Sequence, residues 1–191
     1  MMDEQPSPPT EKVVFIDPGS HFEIRALPEH DEANAAAILA PATGAGTAEA
    51  AAAVVAALRE AAGAAIYGAY IDHALVGVYG IKRDGMANTI AIIAVREDQR
   101  KRGIGRALLT DALHRSGKRP LTAETDDEGL PFYKACGFKL VGRRVHPGGP
   151  VRYRVGWHAP GLRFKGGSTG AATRAPIAPS DSSASGKDSP S

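Results

Sequence analysis

The pattern of apolar and polar positions is clearest in the middle of the chain, where a continuous apolar run is followed by a loop and a helical periodicity. The run over residues 89–95 is typical of a buried strand. Further along, apolar side chains recur at helical spacing at Leu108, Leu109, Ala112 and Leu113. A loop rich in cations and glycine joins the two segments. The stretch therefore predicts a strand, a loop and an amphipathic helix in succession.

The rest of the pattern predicts a chain in which strands and helices are mixed. Strands are expected over residues 22–27, 64–72, 74–83, 87–95, 121–125, 138–145 and 151–157. Helices are expected over residues 28–39, 47–62, the stretch that ends near 117, and 129–135. Thr47 is a suitable N-cap for the second helix. Asp72 and His73 separate two strands as a tight turn, which predicts an antiparallel hairpin.

Both ends of the chain differ in composition from its middle. Residues 1–20 carry four prolines and mixed charge, and we expect their one apolar island, residues 13–16, to add an edge strand. In residues 158–191, 24 of the 34 residues are Ala, Gly, Ser, Thr or Pro, which offer too little apolar surface to offset the entropy of ordering. The expected division is a flexible N-terminal arm over 1–20, one folded domain over 21–157, and a disordered C-terminal tail over 158–191.

Composition and charge exclude several classes of protein. The 191 residues suffice for one domain, and 23 basic against 21 acidic residues give a net charge of +2, which does not indicate a nucleic-acid-binding protein. A single cysteine, Cys136, excludes an internal disulfide framework, and the six histidines show no metal-ligand pattern. No apolar run is long enough to span a membrane, and the polar start does not resemble a secretory signal. We expect a soluble cytoplasmic protein with no metal, no nucleic-acid partner and no membrane partner.

The loop between the central strand and its helix is suited to an anion. Four cations surround it: Arg100, Lys101, Arg102 and Arg106. Gly103 and Gly105 allow the main chain to approach a ligand closely, and the first N–H groups of the helix attract phosphate. A Rossmann loop would need a small residue in place of Leu108, and a Walker loop would need Gly-Lys-Ser or Gly-Lys-Thr. The loop therefore predicts a site for a phosphate-bearing polyanion of another kind.

Two separated motifs carry a resemblance to a known family. The first is Arg100-x-x-Gly103-x-Gly105, directly after the apolar strand. The second is Phe132-Tyr133-x-x-x-Gly137-Phe138, in the next strand-helix unit. In this order and context they resemble the pyrophosphate loop and the motif that closes the cofactor site in the GNAT superfamily of acetyl-CoA-dependent N-acetyltransferases. The resemblance covers roughly residues 22–157.

The resemblance implies a fold and an acyl donor. The fold is α/β (α+β mixed), with a central mixed, mostly antiparallel sheet of about seven strands, splayed fourth and fifth strands, and about four flanking helices. The donor is acetyl-CoA, with its pantetheine pairing to the main chain in the gap between the splayed strands and its pyrophosphate on the N–H groups of the loop. The donor-binding residues that the resemblance implies are Ile93, Ala94, Val95, Arg100, Lys101, Arg102, Gly103, Ile104, Gly105 and Arg106.

The same resemblance assigns a catalytic role to Tyr133, which matches the family's general-acid tyrosine beside the leaving sulfur. A phenol with a pKa near 10 is a weaker acid than a thiol with a pKa near 8.5, so full proton transfer in water costs roughly 2 kcal/mol. We therefore expect a hydrogen bond to the developing thiolate. The alternative is an aromatic plug beside Phe132 and Phe138. In the family a main-chain N–H of the fourth strand polarises the carbonyl, here at Val95 or its neighbour.

The general base is harder to locate, because many relatives place a carboxylate on the fourth or fifth strand. Here residues 89–95 contain none, and Leu121 stands where some relatives have an acid. Glu124 is the nearest candidate for a base or a water-orienting group, although in a regular strand it points to the opposite face from Leu121. The alternative for Glu124 is a surface carboxylate. Asp126 stands where many relatives have an asparagine near the pantetheine, and the alternative for it is to start the next helix.

Together these features predict an N-acetyltransferase. It would move an acetyl group from acetyl-CoA to a primary amine of a small molecule or peptide, by direct attack in a ternary complex. The alternative is a non-catalytic acyl-CoA-binding regulatory module, which the missing strand carboxylate favours. Contact of the basic loop with nucleic acid is disfavoured, because one basic patch without interleaved aromatic residues is a poor footprint. Pairing of an exposed edge strand into a homodimer stays open.

Overall fold

A computed structural model of the chain describes residues 14–117, 119–145 and 151–158. The strands are β1 Phe22–Ala26, β2 Ala64–Ile71, β3 Ala74–Asp84, β4 Ala87–Val95, β5 Leu121–Thr125, β6 Lys139–Arg144 and β7 Arg152–Trp157. The α-helices are α1 Glu32–Leu39, α2 Ala48–Glu60, α3 Ile104–Ser116 and α4 Leu130–Ala135. The mixed α/β fold expected from the sequence is confirmed.

In the described part of the chain the strands form one seven-stranded sheet in the order β1-β2-β3-β4-β5-β7-β6. Neighbouring strands are antiparallel except β4 and β5, which are parallel. A parallel neighbour requires a crossover connection, and α3 provides it. The sheet therefore consists of two antiparallel halves that meet at the β4–β5 pair.

Helices cover both faces of the sheet. On one face, α1 and α2 bury apolar side chains against β2, β3 and β4, among them Leu39, Val55, Val78 and Ile92. On the other face, α3 and α4 form a second core with β3, β4 and β5, among them Leu108, Tyr133, Ile81 and Ile90. Burial of apolar surface, at about 25 cal/mol per Å², is the main term that holds the three layers together. The sheet is therefore the middle layer of three.

Glycine residues let the helices approach the sheet closely. A Cβ added at Gly77 of β3 would lie 3.1 Å from Leu108 Cδ1 and 3.2 Å from Ile104 Cγ2, both in α3. A Cβ at Gly80 would lie 2.5 Å from Leu58 Cδ1 of α2. The first turns of α3 therefore rest directly on β3, which fixes where the loop before α3 meets the end of β4.

The strand β4 changes its pairing halfway along. It pairs with β3 along its length, but the register slips by one residue opposite Gly80, which leaves Ala91 as a bulge. It pairs with β5 over three residues only, ending at Ile90 opposite Ala123. Beyond that point residues 91–95 of β4 have a neighbour on the β3 side alone. The splay of the fourth and fifth strands is therefore confirmed.

The bulge also reverses the alternation of side chains along β4. Ile90 belongs to the core beneath α3 and α4, whereas Ile92 belongs to the core beneath α1 and α2. In a regular strand both side chains would face the same side. One strand therefore contributes to both cores at the point where the sheet opens.

Several local predictions are confirmed. Thr47 caps α2, since its hydroxyl accepts a hydrogen bond from the Ala50 N–H at 3.2 Å. Asp72 and His73 form the turn between β2 and β3, with φ of 46° and 70°. The first predicted helix opens as a 3-10 turn over Glu29–Asp31 before it continues as α1. Local chemistry was sufficient to place these element boundaries.

The apolar island in the N-terminal arm requires a correction. We expected it to add an edge strand, but residues 14–20 form no strand. Instead Val14 packs against the core beneath α3, and the Phe15 N–H bonds to the Arg102 carbonyl at 2.9 Å. The main-chain hydrogen bond that a strand would have formed with the sheet is thus made with the loop before α3.

The ends of the chain are not covered by this description. The first 13 residues of the predicted arm, the turn at 146–150 and the predicted tail from residue 159 onward lie outside the described residues. The division into arm, domain and tail stays a prediction. Within the described ranges, no helix is both long and apolar enough to cross a bilayer.

Candidate active site

The gap between β4 and β5 opens into a cleft of about 870 Å³. One wall consists of the separated end of β4 and the loop that follows it, residues 99–106. The opposite wall consists of the end of β5 and of α4. Residues 41–44, in the connection between α1 and α2, line the cleft from the other face of the sheet. The cleft is therefore lined from both faces.

The loop between β4 and α3 is shaped by left-handed backbone at Lys101 (φ 63°) and Gly103 (φ 87°). A non-glycine residue in this conformation costs about 1–2 kcal/mol, which persists only where surrounding contacts hold it. The helix α3 begins at Ile104, and its first main-chain N–H groups have no partner within the helix. The neighbouring glycines, Gly103 and Gly105, line the cleft. The loop therefore presents a helix N-terminus to the cleft, which suits phosphate.

Gly105 lies next to the opposite wall of the cleft. A Cβ at this position would lie 3.2 Å from Phe132 Cε2 of α4 and 3.6 Å from Val95 Cγ2 of β4. The first distance is tighter than an ordinary contact, so a side chain here pushes against the Phe132 ring. The bare main chain of Gly105 therefore keeps the N–H groups of the helix start open to the cleft.

Three of the four loop cations line the cleft: Arg100, Lys101 and Arg106. Arg100 Nε donates to the Val95 carbonyl at 3.3 Å, and Arg106 Nη2 donates to the Ala135 carbonyl at 3.0 Å. A carbonyl acceptor orients a guanidinium group without neutralising its charge. The positive charge at this end of the cleft therefore stays available to an anion.

Two of the predicted donor-binding residues direct their side chains elsewhere. Arg102 donates from Nε to the Phe15 carbonyl at 2.8 Å and from Nη1 to Gln99 Oε1 at 2.8 Å. Its Nη2 lies 3.6 Å from the Asp17 carboxylate. Ile104 is fully buried in the core beneath α3. The other predicted donor-binding residues all line the cleft.

Tyr133 lines the cleft from α4 and is only 5% exposed. Its ring packs edge-on against Phe132 and Phe138, with a centroid distance of 5.3 Å in both pairs. Burial, with a smaller contribution from Cys136, raises the pKa of the phenol. The Tyr133 ring is therefore part of a packed aromatic cluster with Phe132 and Phe138. The hydroxyl group keeps its proton at neutral pH, and the residue borders the cleft.

Cys136 follows α4 and also lines the cleft. Burial raises the pKa of its thiol, and Arg106 opposes this shift. A thiol with a raised pKa holds little thiolate at neutral pH, which argues against its use as a nucleophile.

Three carboxylates line the cleft: Glu124, Asp126 and Glu128. Glu124 is exposed while Leu121 is buried, as the alternation of β5 predicts. Asp126 accepts a hydrogen bond from the Gly129 N–H at 3.0 Å and lies 3.8 Å from Arg152 Nη1. Asp126 thus helps to start α4 as well as border the cleft. Within the described ranges, no group of three or more His, Cys, Asp or Glu residues is placed to hold a metal ion.

Sequence reasoning missed part of the lining. Residues 41–44 fall between two predicted helices, and Arg152 falls in a predicted strand. Neither carries a local motif, since both reach the cleft through the packing of distant elements. The proline and glycines between Pro41 and Gly46 were the one available signal, because such loops often border sites.

Several solved structures with this fold are acetyltransferases. An aminoglycoside 6'-N-acetyltransferase complexed with coenzyme A has a TM-score of 0.63 at 15% identity, over 71% of this chain and 96% of that chain. The Bacillus subtilis acetyltransferase in complex with CoA has a TM-score of 0.55 at 19% identity, over 73% and 99%. A GNAT family acetyltransferase from Elizabethkingia anophelis with acetyl-CoA bound has a TM-score of 0.55 at 16% identity, over 75% and 100%. At such identities the likeness shows a shared fold.

The profile of the family described as "Acetyltransferase (GNAT) domain" matches residues 38–150. This span covers more than half of the 191 residues, and the chain belongs to the GNAT acetyltransferase family. The protein is therefore an acyltransferase. No curated protein matches the chain.

Proposed function

We propose that the protein is an N-acetyltransferase that moves an acetyl group from acetyl-CoA to a primary amine of a small molecule or peptide, by direct attack in a ternary complex. The observation that carries the proposal is the cleft between β4 and β5, which is lined from both faces of the sheet and so offers two substrates separate entries. The solved structures of the same fold that hold CoA or acetyl-CoA support this donor.

The donor suits the loop side of the cleft. Residues 91–95 of β4 lack a sheet neighbour on the β5 side, so the main-chain groups on that side, other than the Val95 carbonyl that accepts from Arg100, are available to the amides of pantetheine. The phosphates suit the start of α3, Lys101 and Arg106. Gly105 leaves the main chain bare where a Cβ would press on Phe132. Acetyl-CoA supplies the thioester-linked acetyl group.

Tyr133 is the proposed hydrogen-bond donor to the departing sulfur. Its raised pKa keeps the proton on the phenol, so it stabilises negative charge on sulfur without giving up that proton. The bonds balance in one displacement: the amine nitrogen bonds to the carbonyl carbon, and the carbon–sulfur bond breaks with its electron pair left on sulfur. A main-chain N–H at Val95 or its neighbour is the proposed donor to the carbonyl oxygen.

Glu124 is the proposed base. It lines the cleft and is exposed, so it can take, directly or through a water, the proton that an ammonium ion loses before it attacks. The proton that leaves nitrogen after the attack passes to the CoA thiolate. Asp126 and Glu128 line the same cleft. Because Asp126 lies 3.8 Å from Arg152, Glu124 and Glu128 supply the negative charge that attracts an acceptor arriving as an ammonium ion. A positively charged acceptor therefore suits this wall better than an acidic one.

A second function is favoured by one observation. β4 carries no carboxylate, and Glu124 is exposed. A regulatory module that binds acyl-CoA without turnover would need the loop and the splay but no base. Turnover separates the two functions.

The test is an acetyl-CoA turnover screen across amine classes, with thiol release and product mass as readouts. We expect acetylated product with at least one primary amine. Tyr133→Phe should lower kcat about 10- to 100-fold with unchanged CoA affinity, because only the hydroxyl is lost. Tyr153→Phe is the matched control, since the Tyr153 hydroxyl bonds to Asp127 at 2.6 Å and does not line the cleft. Tight CoA binding without turnover on any amine would favour the regulatory module.

A further inference from the structure

The N-terminal arm is joined to the loop before α3 by a reciprocal pair of hydrogen bonds. The Phe15 N–H donates to the Arg102 carbonyl at 2.9 Å, and Arg102 Nε donates to the Phe15 carbonyl at 2.8 Å. The Asp17 carboxylate lies 3.6 Å from Nη2 of the same arginine. We call these contacts the arm clasp. It connects parts of the chain that lie 87 residues apart.

Both the main-chain carbonyl and the guanidinium group of Arg102 are engaged in contacts within the protein. Its third nitrogen, Nη1, donates to Gln99 Oε1 at 2.8 Å, so all three guanidinium nitrogens have partners within the protein. The side chain does not line the cleft, in contrast to Arg100, Lys101 and Arg106. The positive charge of Arg102 is therefore directed to the arm and the preceding turn.

The arm clasp contacts the loop between two residues with left-handed backbone conformation. Lys101 and Gly103, the residues on either side of Arg102, both have positive φ, and Lys101 is not a glycine. Such a conformation persists where contacts over-determine it. The residue held by the arm is the one between them, so the clasp is placed to keep the loop in the shape that opens the helix start to the cleft.

We propose that the arm clasp supports the donor site from outside it, and that Arg102 is a positioning residue that holds the phosphate loop through the main chain of residue 15. The inference rests on the proposed function, because it assumes that this loop binds the phosphates of acetyl-CoA. Loss of the clasp lowers affinity for the donor and leaves the chemical step and the acceptor site unchanged.

The test is a double-mutant cycle in the full chain, with CoA affinity measured by calorimetry. Phe15→Pro removes the N–H that bonds to Arg102, and Phe15→Ala is its matched control, because the Phe15 side chain is 73% exposed. Arg102→Met removes the guanidinium. We expect Phe15→Pro and Arg102→Met each to weaken CoA binding about tenfold, Phe15→Ala to have no effect, and the double variant to be no weaker than the single ones.

Two results would overturn the inference. Additive losses in the double variant would mean that Arg102 contacts the donor directly. Equal affinities for Phe15→Pro and Phe15→Ala would mean that the arm has no role in the site. Arg102→Lys provides a second discrimination, since it keeps the charge but loses the fork of donors: the clasp predicts weakened binding, and a direct phosphate contact predicts near-normal binding.

Kinetics and hydrogen exchange separate this inference from the proposed function. The KM for acetyl-CoA should rise in Phe15→Pro, while kcat and the KM for the acceptor stay constant. Failure of the unaltered chain to bind CoA would refute the proposed function. Amide exchange over residues 101–106 reports on the clasp independently: it should accelerate in Phe15→Pro and not in Phe15→Ala, and unchanged exchange would refute the positioning role.

Discussion

The two walls of the cleft are built in different ways. The loop wall, residues 100–106, consists of main-chain N–H groups, glycines and cations that are contiguous in sequence. The wall formed by β5 and α4 presents Tyr133 and Glu124, whose properties depend on what packs around them. In the proposed roles, donor binding depends mainly on one contiguous stretch, supported by the arm at Phe15, whereas the chemistry depends on the tertiary fold. Changes in the loop wall should alter affinity, and changes in the opposite wall should alter turnover.

The largest effect is expected at Gly105, where an added side chain would meet Phe132 of the opposite wall. Gly105→Val places side-chain atoms against the Phe132 ring, which a Cβ alone would approach to 3.2 Å, and covers the helix start. We expect CoA affinity to fall several hundredfold, about 3–4 kcal/mol. Gly142→Val on β6 is the control, since a Cβ there would meet only Arg154 Cβ at 3.6 Å. Near-normal CoA affinity in Gly105→Val would show that the helix start does not hold the donor.

A smaller effect on a different parameter is expected on the opposite wall. Glu124→Gln removes the proposed base but keeps the shape of the side chain. We expect kcat to fall about 100-fold, at the lower end for general-base catalysis because the residue is exposed, with CoA affinity unchanged. Glu128→Gln, in the same cleft, is the control and should keep its kcat. Equal losses in both variants would indicate a shared electrostatic effect.

Two substitutions of Lys101 distinguish the contribution of its charge to CoA affinity from the contribution of its backbone conformation. Lys101→Gln removes the charge and should weaken CoA binding about fivefold, as for an exposed ion pair. Lys101→Gly also removes the charge but adopts φ 63° without strain, so its loss should be smaller. Lys139→Gln, on the exposed face of β6, is the charge-matched control. A greater loss in Lys101→Gly than in Lys101→Gln would show that the loop backbone is not strained.

The smallest effect concerns pH: ionisation of Tyr133 should cause no change in kcat up to about pH 10. Burial raises the pKa of Tyr133, so the phenol keeps its proton above the ordinary value of about 10. With saturating substrates, kcat should therefore show no falling limb from Tyr133 between pH 8 and about pH 10. The raised pKa of Tyr133 also affects the free energy of unfolding. The stabilising contribution of the neutral phenol is fully present below the pKa of tyrosine in the unfolded chain, and it is lost as the pH rises through the pKa of Tyr133 in the folded protein. A falling limb that vanishes in Tyr133→Phe would contradict the assignment.

The sequence was sufficient wherever the cause is local. Thr47 caps its helix through the N–H three residues on, and Asp72 and His73 turn the chain within two residues. The order of strands and helices followed from such signals. The glycines and cations of the loop likewise predicted an anion site, because a helix start needs no distant partner to attract phosphate.

Features set by distant contacts were not readable from the residues alone. Residues 89–95 are almost uniformly apolar, so nothing in the run shows that its pairing with β5 stops at Ile90 or that Ala91 is a bulge. The splay entered only through the family resemblance. Arg102 looks the same as its neighbouring cations in the sequence, yet its partner is Phe15 in the N-terminal arm, 87 residues earlier in the chain. The apolar island around Val14 was predicted to form an edge strand because its actual contact, with the loop before α3, is likewise distant in sequence.

The missing neighbour of residues 91–95 has a consequence for the lifetime of the protein. A donor lying there contributes the last contacts of a sheet that the polypeptide leaves incomplete, and it does so only in the folded state. At a ligand concentration 100 times its Kd, such binding stabilises the fold by about 2.7 kcal/mol. For a domain of this size that is a rise in Tm of roughly 5–10 °C. A cell rich in acetyl-CoA would then protect from proteolysis the enzyme that consumes it.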